Sequence, residues 1–212
     1  VLVLVADDTT GCRPQPLSKK ARRATSLLVF TTLVVTVYLW AIADVGFAIS
    51  DKALKNSKQG NVASAINQWS LASAFAPWDP TYNALAAQQI YNLFQEIEED
   101  HQAAARQDVV QHFQVAVSRS PNDTWFNFNL ASLLLDDDAE AASIYASRAI
   151  QLFPRNRHFV YYFLGNTYLK QGRQEEAIAA FTLEALESPK FLVMDLWNHP
   201  PYAALKPEVL SR

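Results

Sequence analysis

The sequence predicts an all-α chain: an N-terminal transmembrane helix, then an α-solenoid of about four degenerate helix pairs, closed by a C-terminal capping segment. Three observations carry this. Half of the 212 residues are apolar while only five are glycine, a composition that suits helices better than loop-rich folds. Ala24 to Ala43 runs without a charge, and at 1.5 Å of rise per residue it covers about 30 Å, the thickness of a bilayer's hydrocarbon core. Pro121, Pro154 and Pro189 recur at intervals of 33 and 35 residues, the period of stacked helix pairs.

Val1–Ala6 is apolar and stops at Asp7 and Asp8, which suggests the end of a preceding span in a longer protein. Residues 7–23 are polar and turn-rich, with Gly11, Pro14 and Pro16, and finish on Lys19, Lys20, Arg22 and Arg23. The Val and Thr content of Ala24–Ala43 would suit a buried strand pair in water, and a signal peptide also places an apolar run after basic residues. Length without a turn signal, the basic cluster, and Tyr38 and Trp40 near the far end favour a span. No small-x-small cleavage site follows it. Five basic residues precede the run (Arg13, Lys19, Lys20, Arg22, Arg23) and Lys52, Lys55 and Lys58 follow it. That bias puts the N-terminal loop in the cytoplasm and the rest beyond the membrane, in the periplasm across a bacterial inner membrane or in a thylakoid lumen. The expected domains are a cytoplasmic loop at 1–23, a transmembrane helix at 24–50, repeats at 51–189 and a cap at 190–212.

The first repeat takes its first helix from the extension of the span and its second from Gly60 to Pro77, a stretch that holds Ala65, Trp69 and Ala72. Asp79 and Pro80 start the next helix, expected from Thr81 to Asp100 and ending in the acidic run Glu96, Glu98, Glu99 and Asp100. Its partner holds Val109, Val110, Phe113, Ala116 and Val117. A third unit, Asn122–Pro154, carries Trp125, Phe128, Leu130, Ala131 and Leu134, then Ala142, Tyr145, Ala149 and Ile150. The fourth has small residues at Gly165 and Ala177, aromatics at Tyr161, Tyr168 and Phe181, a turn at Gly172 and a stop at Pro189. Small side chains let paired helices approach and large ones fill the groove between them. Beyond Pro189, Lys190–Trp197 and Ala203–Arg212 read as short helices over the exposed end of the stack.

In this layout, an aromatic, Leu-Gly, Tyr, Ala, Phe and a closing Pro, the stretch Phe159–Pro189 resembles the tetratricopeptide repeat (TPR), although Glu184 stands where that family has a small residue. The resemblance implies a concave, partner-binding face lined by first helices. It places Asn83, Gln88, Asn127, Asn129, Tyr162, Asn166 and Tyr168 there, with a protein or peptide as the partner.

Motifs for chemistry are absent from the sequence. His101, His112, His158 and His199 lack metal-ligand spacing to one another or to Cys12, so neither metal nor cofactor is implied. Asp136-Asp-Asp138 with Glu140 could offer oxygen ligands, yet no EF-hand spacing follows and a solvated turn is the simpler reading. Asn122-Asp-Thr124 matches a glycosylation acceptor and reads better as a helix cap. No phosphate loop or nucleophile elbow occurs, and near-neutral charge gives no pull towards nucleic acid. No catalytic residue is assigned, and the chain reads as one that binds or positions.

A basic loop, a span and degenerate TPRs beyond it are similar in layout to the C-terminal end of O-antigen ligase/polymerase-like envelope proteins. That resemblance implies an accessory part of a glycan-transferring membrane enzyme, with the bilayer contacted through residues 24–43 and a lipid-linked glycan met through the parent protein. The competing expectation is a single-span TPR assembly factor or adaptor for a membrane complex.

Overall fold

The computed structural model describes residues 18–93, 99–154 and 159–212. The stub Val1–Ala6 and the loop that follows it to Leu17, with Cys12, lie outside the described residues, as do Phe94, Glu96, Glu98 and His158. Two compact units divide the chain, one ending at Asp44 and the other running from Val45 to Arg212.

In the first unit the described residues belong almost wholly to helix α1 (Lys19–Lys58), of which this unit holds the part up to Asp44. The Val- and Thr-rich run is therefore helical and not a strand pair. Its threonines are accommodated because each hydroxyl donates back to a carbonyl one turn earlier: Thr25 to Ala21 and Thr31 to Leu27 at 2.9 Å, Thr32 to Leu28 at 2.9 Å and Thr36 to Thr32 at 2.8 Å. A hydroxyl satisfied within its own helix makes no demand on the surroundings. Every large apolar side chain from Leu27 to Trp40 is exposed. The helix is long and apolar enough to cross a membrane.

The second unit is all helical among the described residues. After the end of α1 come α2 (Val62–Phe75), α3 (Thr81–Asn92), α4 (Glu99–Arg119), α5 (Thr124–Leu134), α6 (Ala139–Leu152), α7 (Val160–Lys170) and α8 (Gln174–Glu187). Two 3-10 segments, Pro189–Val193 and Asp195–Asn198, lead to α9 (Tyr202–Ser211). Consecutive helices pair through alanines that allow close approach and aromatics that fill the remaining space. Ala53 of α1 joins Ala65, Trp69 and Ala72 of α2, and the Trp69 indole donates to Ser50 Oγ at 3.1 Å. Ala84, Ala87 and Ile90 of α3 meet Val109, Phe113 and Ala116 of α4. The last pair is closed by Phe191, Trp197, Leu205 and Val209, which pack on Ala177, Ile178 and Phe181 of α8.

Turn chemistry explains the boundaries. Gly60 and Gly172 have φ of +82° and +73°, with open space where a Cβ would stand, so glycine serves there for its backbone freedom. Asp123 and Asp138 cap α5 and α6, accepting from the amides of Phe126 at 3.0 Å and Ala141 at 2.9 Å. Asp79 accepts from the Thr81 amide at 2.9 Å just before α3.

One expected element is corrected. The helix predicted over Thr81–Asp100 ends at Asn92, and Glu99 and Asp100 open α4. The Leu93 amide is shared between the Gln89 and Ile90 carbonyls at 3.3 and 3.2 Å, the tightened last turn that closes α3.

Candidate functional site

Most residues placed on the first-helix face by the sequence are engaged inside the fold. Asn83 is buried, donating to Ser73 Oγ at 2.7 Å while its Oδ1 lies 3.2 Å from His112 Nδ1. Arg119 donates to the same Ser73 hydroxyl at 3.1 Å, so this network ties α2, α3 and α4 together. Burial holds the His112 imidazole below its ordinary pKa, against the opposing charge of Asp108. Asn127 is buried and donates to the carbonyls of Pro121 and Asp123 at 3.1 and 2.7 Å. Tyr162 is packed among Phe181, Phe191 and Tyr202, and Asn166 accepts from the Tyr202 hydroxyl at 2.7 Å. Gln88 donates to Asn92 and Asn129 to the Trp125 carbonyl. Of these seven side chains, Asn83 and Asn127 are taken up inside the fold. Only Tyr168, with the Arg173 guanidinium 4.5 Å above its ring, belongs to the groove described below.

The acidic turn is spoken for residue by residue. Asp136 is paired with Lys170, which holds its carboxyl below the usual range. Asp137 lies 2.9 Å from Arg106 Nε, and Asp138 caps α6. Arg106 also donates to the Leu133 carbonyl at 2.8 Å. These contacts tie the α5–α6 turn to α4 and α7, a structural role for the three aspartates. No grouping of three or more His, Cys, Asp or Glu side chains suited to a metal occurs among the described residues.

A groove of about 390 Å³ opens between the second helices α6 and α8, with α7 as its floor. Ser147, Ile150 and Gln151 form one wall, Tyr161, Leu164 and Tyr168 the floor, and Glu176, Ala179, Ala180 and Leu183 the other wall. Both walls continue as apolar stripes: Ile144 lies three residues before Ser147 on α6, and Leu186 three residues after Leu183 on α8. Ile144, Leu183 and Leu186 are exposed. Burial raises the Tyr161 hydroxyl pKa, with Glu187 and Glu184 adding to it. At the far end Glu176 is held below its ordinary pKa by its own backbone amide and by Arg173, which meets it at 3.0 Å. The lining is thus mostly hydrocarbon, with two phenols and a carboxylate at fixed places. That chemistry grips an apolar side chain and orients polar groups beside it. The sequence contained Tyr161 among the repeat aromatics, but nothing marked the gap between α6 and α8.

Glu184, the departure from the repeat pattern, has a definite task beside this groove. It is 3% exposed, and its carboxylate accepts from the Tyr162 amide at 3.1 Å and also from the Tyr161 amide. A residue of α8 thereby satisfies orphan donors in the first turn of α7, where Phe159 offers no side-chain cap. Burial nevertheless outweighs these bonds and raises the Glu184 pKa. A carboxyl with a raised native pKa stabilises the fold fully only below its unfolded pKa, and loses that contribution as pH rises through the native value. Glu184→Gln keeps an acceptor oxygen and cannot ionise. Urea unfolding across a pH series should therefore show wild type losing ground to Glu184→Gln as pH rises from about 4.3, the unperturbed glutamate value; a constant difference would mean that the carboxyl is not strained by burial.

Neither a protein-family model nor a curated protein matches this sequence. Solved structures do match in fold. The crystal structure of MamA protein superposes with a TM-score of 0.61 at 18% identity, over 80% of this chain and 87% of that one. A MamA fragment from Desulfovibrio magneticus RS-1 gives 0.59 at 16% identity, over 78% and 93%. TTC0263, a thermophilic TPR protein of Thermus thermophilus, gives 0.52 at 16% identity, over 90% and 97%. At such identities the likeness speaks to fold alone. The helix pairs are those of a TPR-type α-solenoid.

Proposed function

We propose that this chain is a membrane-anchored TPR protein-interaction scaffold that holds an apolar segment of a protein partner in the groove between α6 and α8. The single observation that carries this is the groove itself, apolar in lining and bordered by exposed Ile144, Leu183 and Leu186. The TPR-type fold is consistent with it. Supporting the anchor is α1, whose large apolar side chains from Leu27 to Trp40 are all exposed. In this reading residues 24–50 are the transmembrane domain, 51–189 the repeats and 190–212 the cap, and the repeats face the periplasm or a thylakoid lumen.

Selection of peptides from a displayed library against the full chain in nanodiscs tests the groove. Peptides with spaced apolar residues should be enriched, and Leu183→Glu should weaken them about tenfold or more, the loss of one interface anchor. Because Leu183 is nearly half exposed, the variant should keep its melting temperature. Unchanged binding by Leu183→Glu would remove the groove from consideration.

The order of apolar helix and repeats also supports a finer reading, the extracytoplasmic accessory domain of an O-antigen ligase/polymerase-like glycan enzyme, which would bring a lipid-linked glycan close through the parent protein. Sequence upstream of Val1 decides it. Several further apolar spans are expected, whereas an initiator Met within a few residues would leave the single-span assembly factor.

A further inference from the structure

Exposed apolar side chains cluster in sequence around one contact in the second unit. Gly46 of α1 packs on the turn between α2 and α3: a Cβ there would stand 3.2 Å from Ala76 Cβ and 3.7 Å from Tyr82 Cε2. On either side of these contact residues the large side chains are left in the open. Phe47 is 70% exposed and Trp78 51%, and Phe75 is exposed as well. Leu71, one turn before Phe75 on α2, is also exposed, so Leu71 and Phe75 share a face of that helix, and Trp78 follows in the turn three residues later. The core built on Trp69 and Tyr82 uses none of these four side chains.

Trp has an apolar body and a polar N–H, and membrane–water interfaces are where such rings collect. The chain itself brings an interface within reach. Gly46 is the third residue after the uncharged run that ends at Ala43, and three residues of backbone extend at most about 11 Å. The turn packed on Gly46 is thus tethered to the end of that run.

We infer that Phe47, Phe75 and Trp78 are a lipid-interface contact that seats the first helix pair on the bilayer surface. The inference rests on the reading of α1 as a membrane span. Its occupant is the headgroup and upper acyl region of the bilayer, a surface without stereospecific demands, which matches exposed apolar rings.

The test uses the full chain with Cys12→Ser, reconstituted in nanodiscs containing lipids spin-labelled near the headgroup. Single cysteines are introduced as Trp40→Cys, Trp78→Cys and Leu186→Cys, and each carries an environment-sensitive fluorophore. Quenching and a blue shift at positions 40 and 78, with neither at 186, is the expected result. Quenching at 40 without quenching at 78 would overturn the interface contact and leave the span standing, as would a protein partner covering the patch in place of lipid. No quenching at 40 would overturn the span and the contact together. Equal quenching at 78 and 186 would show general adsorption of the solenoid and also overturn the specific contact.

Discussion

Replacing Gly165 by leucine should lower the stability of the second unit by about 1–3 kcal/mol or more, the usual cost of overpacking. For a domain of this size that is several degrees of melting temperature, at roughly 2–4 °C per kcal/mol. Even Gly165→Ala should destabilise, although propensity alone argues the reverse, since alanine is better than glycine within a helix by about 1 kcal/mol. The clash decides the sign. A Cβ at position 165 would stand 2.3 to 2.8 Å from three atoms of the Phe181 ring, and that ring is fully buried against Phe191, Trp197 and Tyr202. It has nowhere to swing without opening the cap. Combining Gly165→Ala with Phe181→Leu should recover part of the loss, giving a coupling of about 0.5–3 kcal/mol between contacting residues. A Gly165→Leu protein that melted like the parent would mean that α7 and α8 are not in the register described.

What the sequence made legible follows a physical division. Punctuation was readable because it is local: Gly60 and Gly172 need positive φ, and Asp123 caps the helix it precedes, whereas the cap made by Asp138 was hidden in what read as a solvated acidic turn. Close packing was readable where the side chain has one purpose, as with Gly165, Ala65 and Ala72. The break after Asn92 was not, because residues 81–100 keep helix-compatible composition throughout. The candidate site was the least legible part. Tyr161 and Tyr162 are neighbours in sequence but point about 100° apart on a helix, which sends one to the groove and the other to the cap. Family layout favoured the first-helix face, whereas Tyr202 of α9 takes Asn166 and packs on Tyr162, a buried bond to Ser73 of α2 takes Asn83, and carbonyls at the start of its own helix take Asn127. Glu184 was visible as an exception in the pattern. Its reason, an uncapped neighbouring helix, exists only in three dimensions.

Trp197→Ala should be the most damaging single truncation in the cap, at about 3–5 kcal/mol. The indole is 2% exposed. It stands edge-on to Phe191 and Phe181, with ring centroids 5.0 and 5.9 Å away, and its N–H donates to the Phe191 carbonyl at 2.8 Å. Truncation leaves a cavity beside Phe181 and leaves the Phe191 carbonyl with the Met194 amide, at 3.2 Å, as its remaining donor. In a stack of helix pairs each unit is stabilised by its neighbours, so damage at one end should spread only as far as nearest-neighbour coupling carries it. Hydrogen exchange should therefore show amides of α8 and α9 losing protection first, α7 next, and α2 to α4 least. Trp197→Phe separates the two contributions, since it keeps most of the ring volume and loses the hydrogen bond, worth about 0.5–1.5 kcal/mol net. Uniform loss of protection from α2 to α9 in Trp197→Ala would mean that the second unit unfolds as one cooperative body, and the cap would then be part of its core instead of a cover on its end.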